Sequence, residues 1–169
     1  MTNPEKKISS PGSTISAACL QDFPLLEPDV LCSPASEVST AAPLLIPAGA
    51  SVSEAIERMR SAKASCVIVA DDLGKPLGIF TERDLLISVA HRLPEVADKP
   101  IADFMVTDLI TATADAPLAY LLTIMSDGGV RNLPLVNPDG EVVGIVTVRD
   151  IVDFLASRVL GALLDFPTL

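Results

Sequence analysis

The chain has 169 residues, enough for one domain with a real core or for two very small ones. About half are apolar but only 4% are aromatic, so the expected core is aliphatic. Twelve basic against 22 acidic residues leave a net charge of −10. That argues against nucleic-acid polymers and anionic membranes as partners, yet leaves room for a small anion in a locally basic pocket.

Residues 1–36 are rich in serine and carry Pro4, Pro11, Pro24, Pro28 and Pro34, which reads as a flexible arm. Its apolar patch around Phe23, Leu25 and Leu26 is suited to docking on the main body. Lys6 and Lys7 are followed by Pro11 and Gly12, not by the apolar run of a signal peptide. No segment approaches the roughly 18 apolar residues of a membrane span. Cys19, Cys32 and Cys66 are widely spaced and His91 is the sole histidine, so neither a zinc site nor a disulfide framework is expected. A reducing cytoplasm is the expected location.

Beyond the arm the chain repeats itself. Gly78, Ile79, Thr81, Arg83 and Asp84 recur as Gly144, Ile145, Thr147, Arg149 and Asp150, an offset of 66. The offset holds upstream. Short strands are expected over 43–46 and 109–113, each leading into a helix. In the first helix Val52, Ala55, Ile56 and Met59 mark one face, and Leu118, Leu121, Leu122 and Met125 mark the same face of the second. Ser51 and Glu54 suit a capping box, and Pro117 suits a first helical turn. The apolar runs 66–70 and 133–136 predict buried strands, and Gly74 and Gly140 predict left-handed turn positions before the returning strands. Each returning strand runs into a helix opening with Arg-Asp. The units are therefore β-α-β-β-α, each too small to bury its own apolar surface. The fold expected is α/β (α+β): two βαββα repeats over 37–98 and 99–160, related by a pseudo-twofold, sheets together and helices outside. A tail over 161–169 follows. The end segment 158–166 adds Val159, Leu160, Leu163 and Leu164 to the apolar helix faces such a pair exposes, and a homodimer is the expected species.

The two Thr-x-x-Asp motifs lie where a strand gives way to a helix, and two readings stay open. In one, Thr81 with Asp84 and Thr147 with Asp150 simply cap their helices. In the other, the helix N–H groups and threonine hydroxyl receive a phosphate, the carboxylate accepts from ribose hydroxyls, and Gly78 and Gly144 admit the ligand close to the backbone. Arg83 and Arg149 suit phosphates or surface ion pairs equally. Met59 and Met125 suit the core, Cys66 an inert buried position, and no group of residues suggests catalysis.

The repeated motifs, in this order, resemble a tandem CBS (cystathionine-β-synthase) domain pair, or Bateman module, over roughly residues 38–158. The resemblance implies a regulatory, non-enzymatic module that binds AMP, ADP, ATP or S-adenosylmethionine between its repeats and signals in trans to another protein. It implies that Asp84 and Asp150 hold ribose and that Thr81 and Thr147 line the ribose-phosphate region. Backbone around Ile46, Thr111 and Ala112, with Met105 and Val106 nearby, would flank the base. Where the family places basic residues before the second strand, the second copy has Arg131 and Asn132 and the first has Ser65 and Cys66. The site at Asp150 is thus expected to be the tighter of the two. The alternative is a structural, oligomerising module whose sites are vestigial.

Overall fold

The computed structural model describes residues 28–38 and 42–164, the last six of these as backbone only. The patch at Phe23, Leu25 and Leu26 and the side chains of Val159, Leu160, Leu163 and Leu164 lie outside what is described. The first repeat contains β1 (Leu45–Pro47), α2 (Val52–Ala62), β2 (Cys66–Ala70) and β3 (Pro76–Thr81). It is preceded by a one-turn helix, α1 (Ala35–Val38), and followed by two further short helices, α3 (Glu82–Asp84) and α4 (Leu93–Val96). The second contains β4 (Ala112–Thr113), α5 (Leu118–Gly128), β5 (Asn132–Val136), β6 (Val142–Thr147) and α6 (Val148–Leu164). Each forms a three-stranded sheet, β1-β2-β3 and β4-β5-β6, with a parallel and then an antiparallel pairing.

The first helices begin and end 66 positions apart, as do the returning strands β3 and β6. Ser51 caps α2 by accepting the Glu54 N–H at 3.1 Å, but the Glu54 carboxylate turns to Arg58 at 2.7 Å instead of completing the box. Pro117 is the cap of α5, one position before its first turn. Gly74 and Gly140 do take positive φ, 76° and 84°. Of the two predicted helix faces, Val52, Ala55, Met59, Leu118, Leu121 and Met125 are buried, whereas Leu122 is exposed.

Each sheet packs its helix-facing side into its own core: Val67, Val69 and Phe80 in one, Leu133, Leu135 and Val146 in the other. By strand alternation the opposite sides carry Ile68 paired with Ile79 and Pro134 paired with Ile145. Ile68 is fully buried without belonging to either core, as expected of a residue between the two sheets.

Two features were not visible in the repeat. First, the segment before each repeat packs on the other one. Ala35 and Val38 of α1 sit in the second core, and Pro34 bridges to Pro117; Ile101 and Phe104 pack on the first core, and Pro100 bridges to Ser51. These contacts are equivalent under the 66-residue offset. Second, the closing helices differ. Asp150 lies in one continuous helix of 17 residues, Val148–Leu164, but after Asp84 the chain passes into a π-helical turn at Leu85–Val89 and a 3-10 turn at Ala90–Arg92. Pro94 enters only at the start of α4, where its missing N–H costs no bond.

Candidate functional site

The Thr-x-x-Asp motifs form reciprocal caps. In the second copy, Thr147 N–H donates to Asp150 Oδ2 at 2.8 Å and Asp150 N–H donates to Thr147 Oγ1 at 3.1 Å. In the first, Thr81 N–H and its hydroxyl both donate to Asp84 Oδ2, at 2.9 and 2.7 Å, and Asp84 N–H returns to Thr81 Oγ1 at 3.3 Å. The intervening N–H groups are engaged as well: Glu82 donates to the Ser65 carbonyl and Val148 to the Arg131 carbonyl, both at 3.0 Å. The free helix terminus expected to meet a phosphate is therefore reduced to the N–H of Arg83 or Arg149. Each aspartate still has its Oδ1 outside the cap, on a half-buried side chain.

The basic candidates separate. Arg149 leans along its helix to Asp153 at 3.7 Å, the surface ion pair. Arg131 and Arg83 are exposed and have no ion-pair partner among the described residues. Beside Arg131, Asn132 Oδ1 accepts from the Ser65 hydroxyl at 3.1 Å, which joins the starts of β5 and β2 across the repeats.

Other candidates fall elsewhere. Met105 and Val106 lie along β3: Ile79 and Val106 exchange backbone bonds at 2.9 and 2.8 Å. A Cβ on Gly78 would come within 2.5 Å of Met105 Sδ and 2.9 Å of the Val106 carbonyl. It is this segment, not a ligand, that needs the glycine. Ile46 is buried in the first core and borders a cavity of about 190 Å³ with Leu45, Pro47, Ala70 and the Asp71–Gly74 turn. Thr111 is half-buried just before β4, and Ala112 is in the second core. Cys66 is buried, and burial pushes its thiol up to about 12, too high for a nucleophile.

Asp150 opens onto a cavity of about 270 Å³, bounded also by Glu37, Val38, Asp153, Phe154 and Ser157. Sequence reasoning missed these neighbours. Asp153, Phe154 and Ser157 follow Asp150 at helical spacing and were legible as one face of α6; Glu37 arrives from the crossed-over α1 and had no local signal. Glu37 is held there by Arg158 at 3.3 Å, whose guanidinium also lies 5.0 Å from the Phe154 ring centre. Among the described residues no group of His, Cys, Asp and Glu is arranged to hold a metal, and no helix is long and apolar enough to cross a membrane.

Comparison with known proteins bears on this arrangement. A family model described as the CBS domain matches residues 35–91 and again 101–157. Inosine-5'-monophosphate dehydrogenase of Aquifex aeolicus is 34% identical over 111 residues, which are 65% of this chain and 22% of that enzyme. The chain thus spans less than a quarter of that relative's length. Among solved structures, the CBS domain pair of protein MJ0100 in complex with 5'-methylthioadenosine and S-adenosyl-L-methionine aligns with a TM-score of 0.66 at 26% identity, over 75% of this chain and 98% of that one. The CBS domain protein PAE2072 from Pyrobaculum aerophilum, complexed with AMP, aligns with a TM-score of 0.64 at 26% identity, over 73% and 98%.

Proposed function

The chain belongs to the CBS-domain family as a regulatory ligand-binding module, and from that premise we propose that it senses an adenine nucleotide (AMP, ADP or ATP) or S-adenosylmethionine between its repeats and signals in trans. The repeats of the module are 37–98 and 99–160, with 161–169 as a tail; of the arm 1–36, Pro34 and Ala35 pack on the second repeat. Binding changes the shape or partner surface of the pair without chemistry at the ligand, and the free thiols of Cys32 and Cys66 suit a reducing cytoplasm.

The observation that carries this reading is the second cap. Asp150 is fixed by Thr147 through Oδ2, keeps Oδ1 for a ribose diol, and borders a cavity large enough for part of a nucleotide. Arg131, next to the same helix start, is the cation for a phosphate. The first copy keeps Thr81, Asp84 and Arg83 but has Ser65 in place of Arg131, so it is the weaker site. Calorimetry with AMP, ATP and S-adenosylmethionine tests this: Asp150→Ala abolishes the tighter event and Asp84→Ala leaves it. A larger loss from Asp84→Ala reverses the ranking, and absence of binding at millimolar ligand rejects the proposal.

A second reading is favoured by the exposed apolar residues that follow each Thr-x-x-Asp motif: Leu86 and Ile87 are 71% and 62% exposed in the first copy, and Val152 is half-exposed in the second. Apolar surface of this kind suits a homodimer or a partner protein, and a module serving only that purpose would bind no nucleotide.

A further inference from the structure

We infer that the outer face of α5 is a docking surface, and that its occupant is the chain's own segment 23–26. The two helices related by the 66-residue offset carry opposite surfaces. On α2 the exposed side is charged: Glu54 pairs with Arg58 at 2.7 Å and Glu57 with Arg60 at 2.9 Å. At the equivalent positions α5 has Tyr120, Ile124, Thr123 and Ser126. Tyr120 is 52% and Leu122 37% exposed, and Asp127 is the only charged residue of the helix. A helix facing water ordinarily carries charged and polar residues there, as α2 does. The fold therefore does not impose the apolar face, which belongs to α5 alone.

The path of the chain names the occupant. Pro28–Cys32 forms a 3-10 turn packed on α5. Ser33 follows, its carbonyl accepting the Leu118 N–H at 2.9 Å, and Pro34 bridges to Pro117. The chain thus enters the described fold on this helix, at the end where Tyr120 lies. Phe23, Leu25 and Leu26, outside the described residues, come just before Pro28 in the sequence. At about 3.3–3.6 Å per residue, Leu26 stays within ~7 Å of Pro28 and Phe23 within ~18 Å. The helix itself is ~16 Å long, so the cluster is tethered over α5 and reaches little beyond it. So short a tether holds it there at an effective concentration on the order of millimolar. The face also offers a charged partner almost nothing to pair with. Docking there extends along α5 the contact that Ala35 and Val38 make with the second core.

Tyr120 is the chain's only tyrosine and there is no tryptophan, so its fluorescence reports on this face alone. The test is acrylamide quenching of the full chain, for the wild type and for Phe23→Ser combined with Leu25→Ser and Leu26→Ser. The quenching constant of the variant should exceed that of the wild type by about twofold, because an aromatic ring covered by docked side chains loses most of its solvent contact. In the reciprocal test Leu122→Glu should release the segment, read as faster thermolysin cleavage before Leu26 than in the wild type. Circular dichroism shows that both variants are folded. Equal quenching of the wild type and the arm variant overturns the inference, and so does unchanged cleavage in Leu122→Glu. Equal shielding of Tyr120 in both chains that disappears on dilution would assign the face to a second copy instead.

Discussion

Replacing Gly78 by alanine tests whether the segment at 101–106 is part of the first repeat's fold. The added methyl would stand 2.5 Å from Met105 Sδ, 2.7 Å from its Cγ and 2.9 Å from the Val106 carbonyl oxygen. Methionine is flexible, and its sulfur can swing away at modest cost. The carbonyl cannot, because it accepts the Ile79 N–H at 2.9 Å in the bridge that ties the segment to β3. Overpacking of this kind costs about 1–3 kcal/mol, and the fixed backbone atom places the expected loss near 2. For a chain of this size that lowers the melting midpoint by about 4–8 °C. Differential scanning fluorimetry measures it. Met105→Ala in the same chain should restore part of the loss, since two of the three close contacts are to its side chain, while the carbonyl contact persists. A midpoint within a degree of wild type for Gly78→Ala would show that the segment is not held against β3 as described.

Three further outcomes are expected. Arg131→Ala should weaken AMP or ATP about ten- to a hundredfold, the worth of one charge-assisted contact, and leave adenosine nearly unchanged in calorimetry. Burial raises the Cys66 thiol from its ordinary 9.0 to about 12, so the unfolded chain releases this proton first; stability should fall as pH rises from about 9 toward 12, and Cys66→Ala should remove that part of the slope in denaturant titrations. Light scattering should give a dimer at about tens of micromolar, with Leu86→Glu plus Ile87→Glu giving a folded monomer; a monomeric wild type rejects that surface as a self-association face.

The offset of 66 made the interior of each repeat legible. β2 was predicted to the residue, the strands returning after each turn were expected, and the left-handed turns at Gly74 and Gly140 followed from residue chemistry. Partnership was harder to read. Val38, Ile101 and Phe104 are apolar whichever core receives them, so composition could not say that they cross over. Leu122 continues a helical stripe on sequence, but only packing decides whether a stripe is covered along its whole width. The site was legible in part for the same reason. Thr147 and Asp150 announce a cap locally, whereas Glu37 reaches their cavity from more than a hundred residues away. At Gly78 the glycine signalled close approach correctly, and what approaches it is the protein's own Met105.

The crossed segments have a consequence for how the chain can be divided. Cutting between the repeats would not release two working halves, because each half would carry off the strip that seals the other: the piece ending near residue 98 would lack Ile101 and Phe104, and the piece beginning there would lack Ala35 and Val38. Mixed in a tube, however, two such pieces have every surface needed to find one another, and two identical copies of one unit could lend each other the same strip. A single-repeat ancestor could thus have existed as an exchanged pair, with gene duplication joining in one chain what two chains had already interlaced.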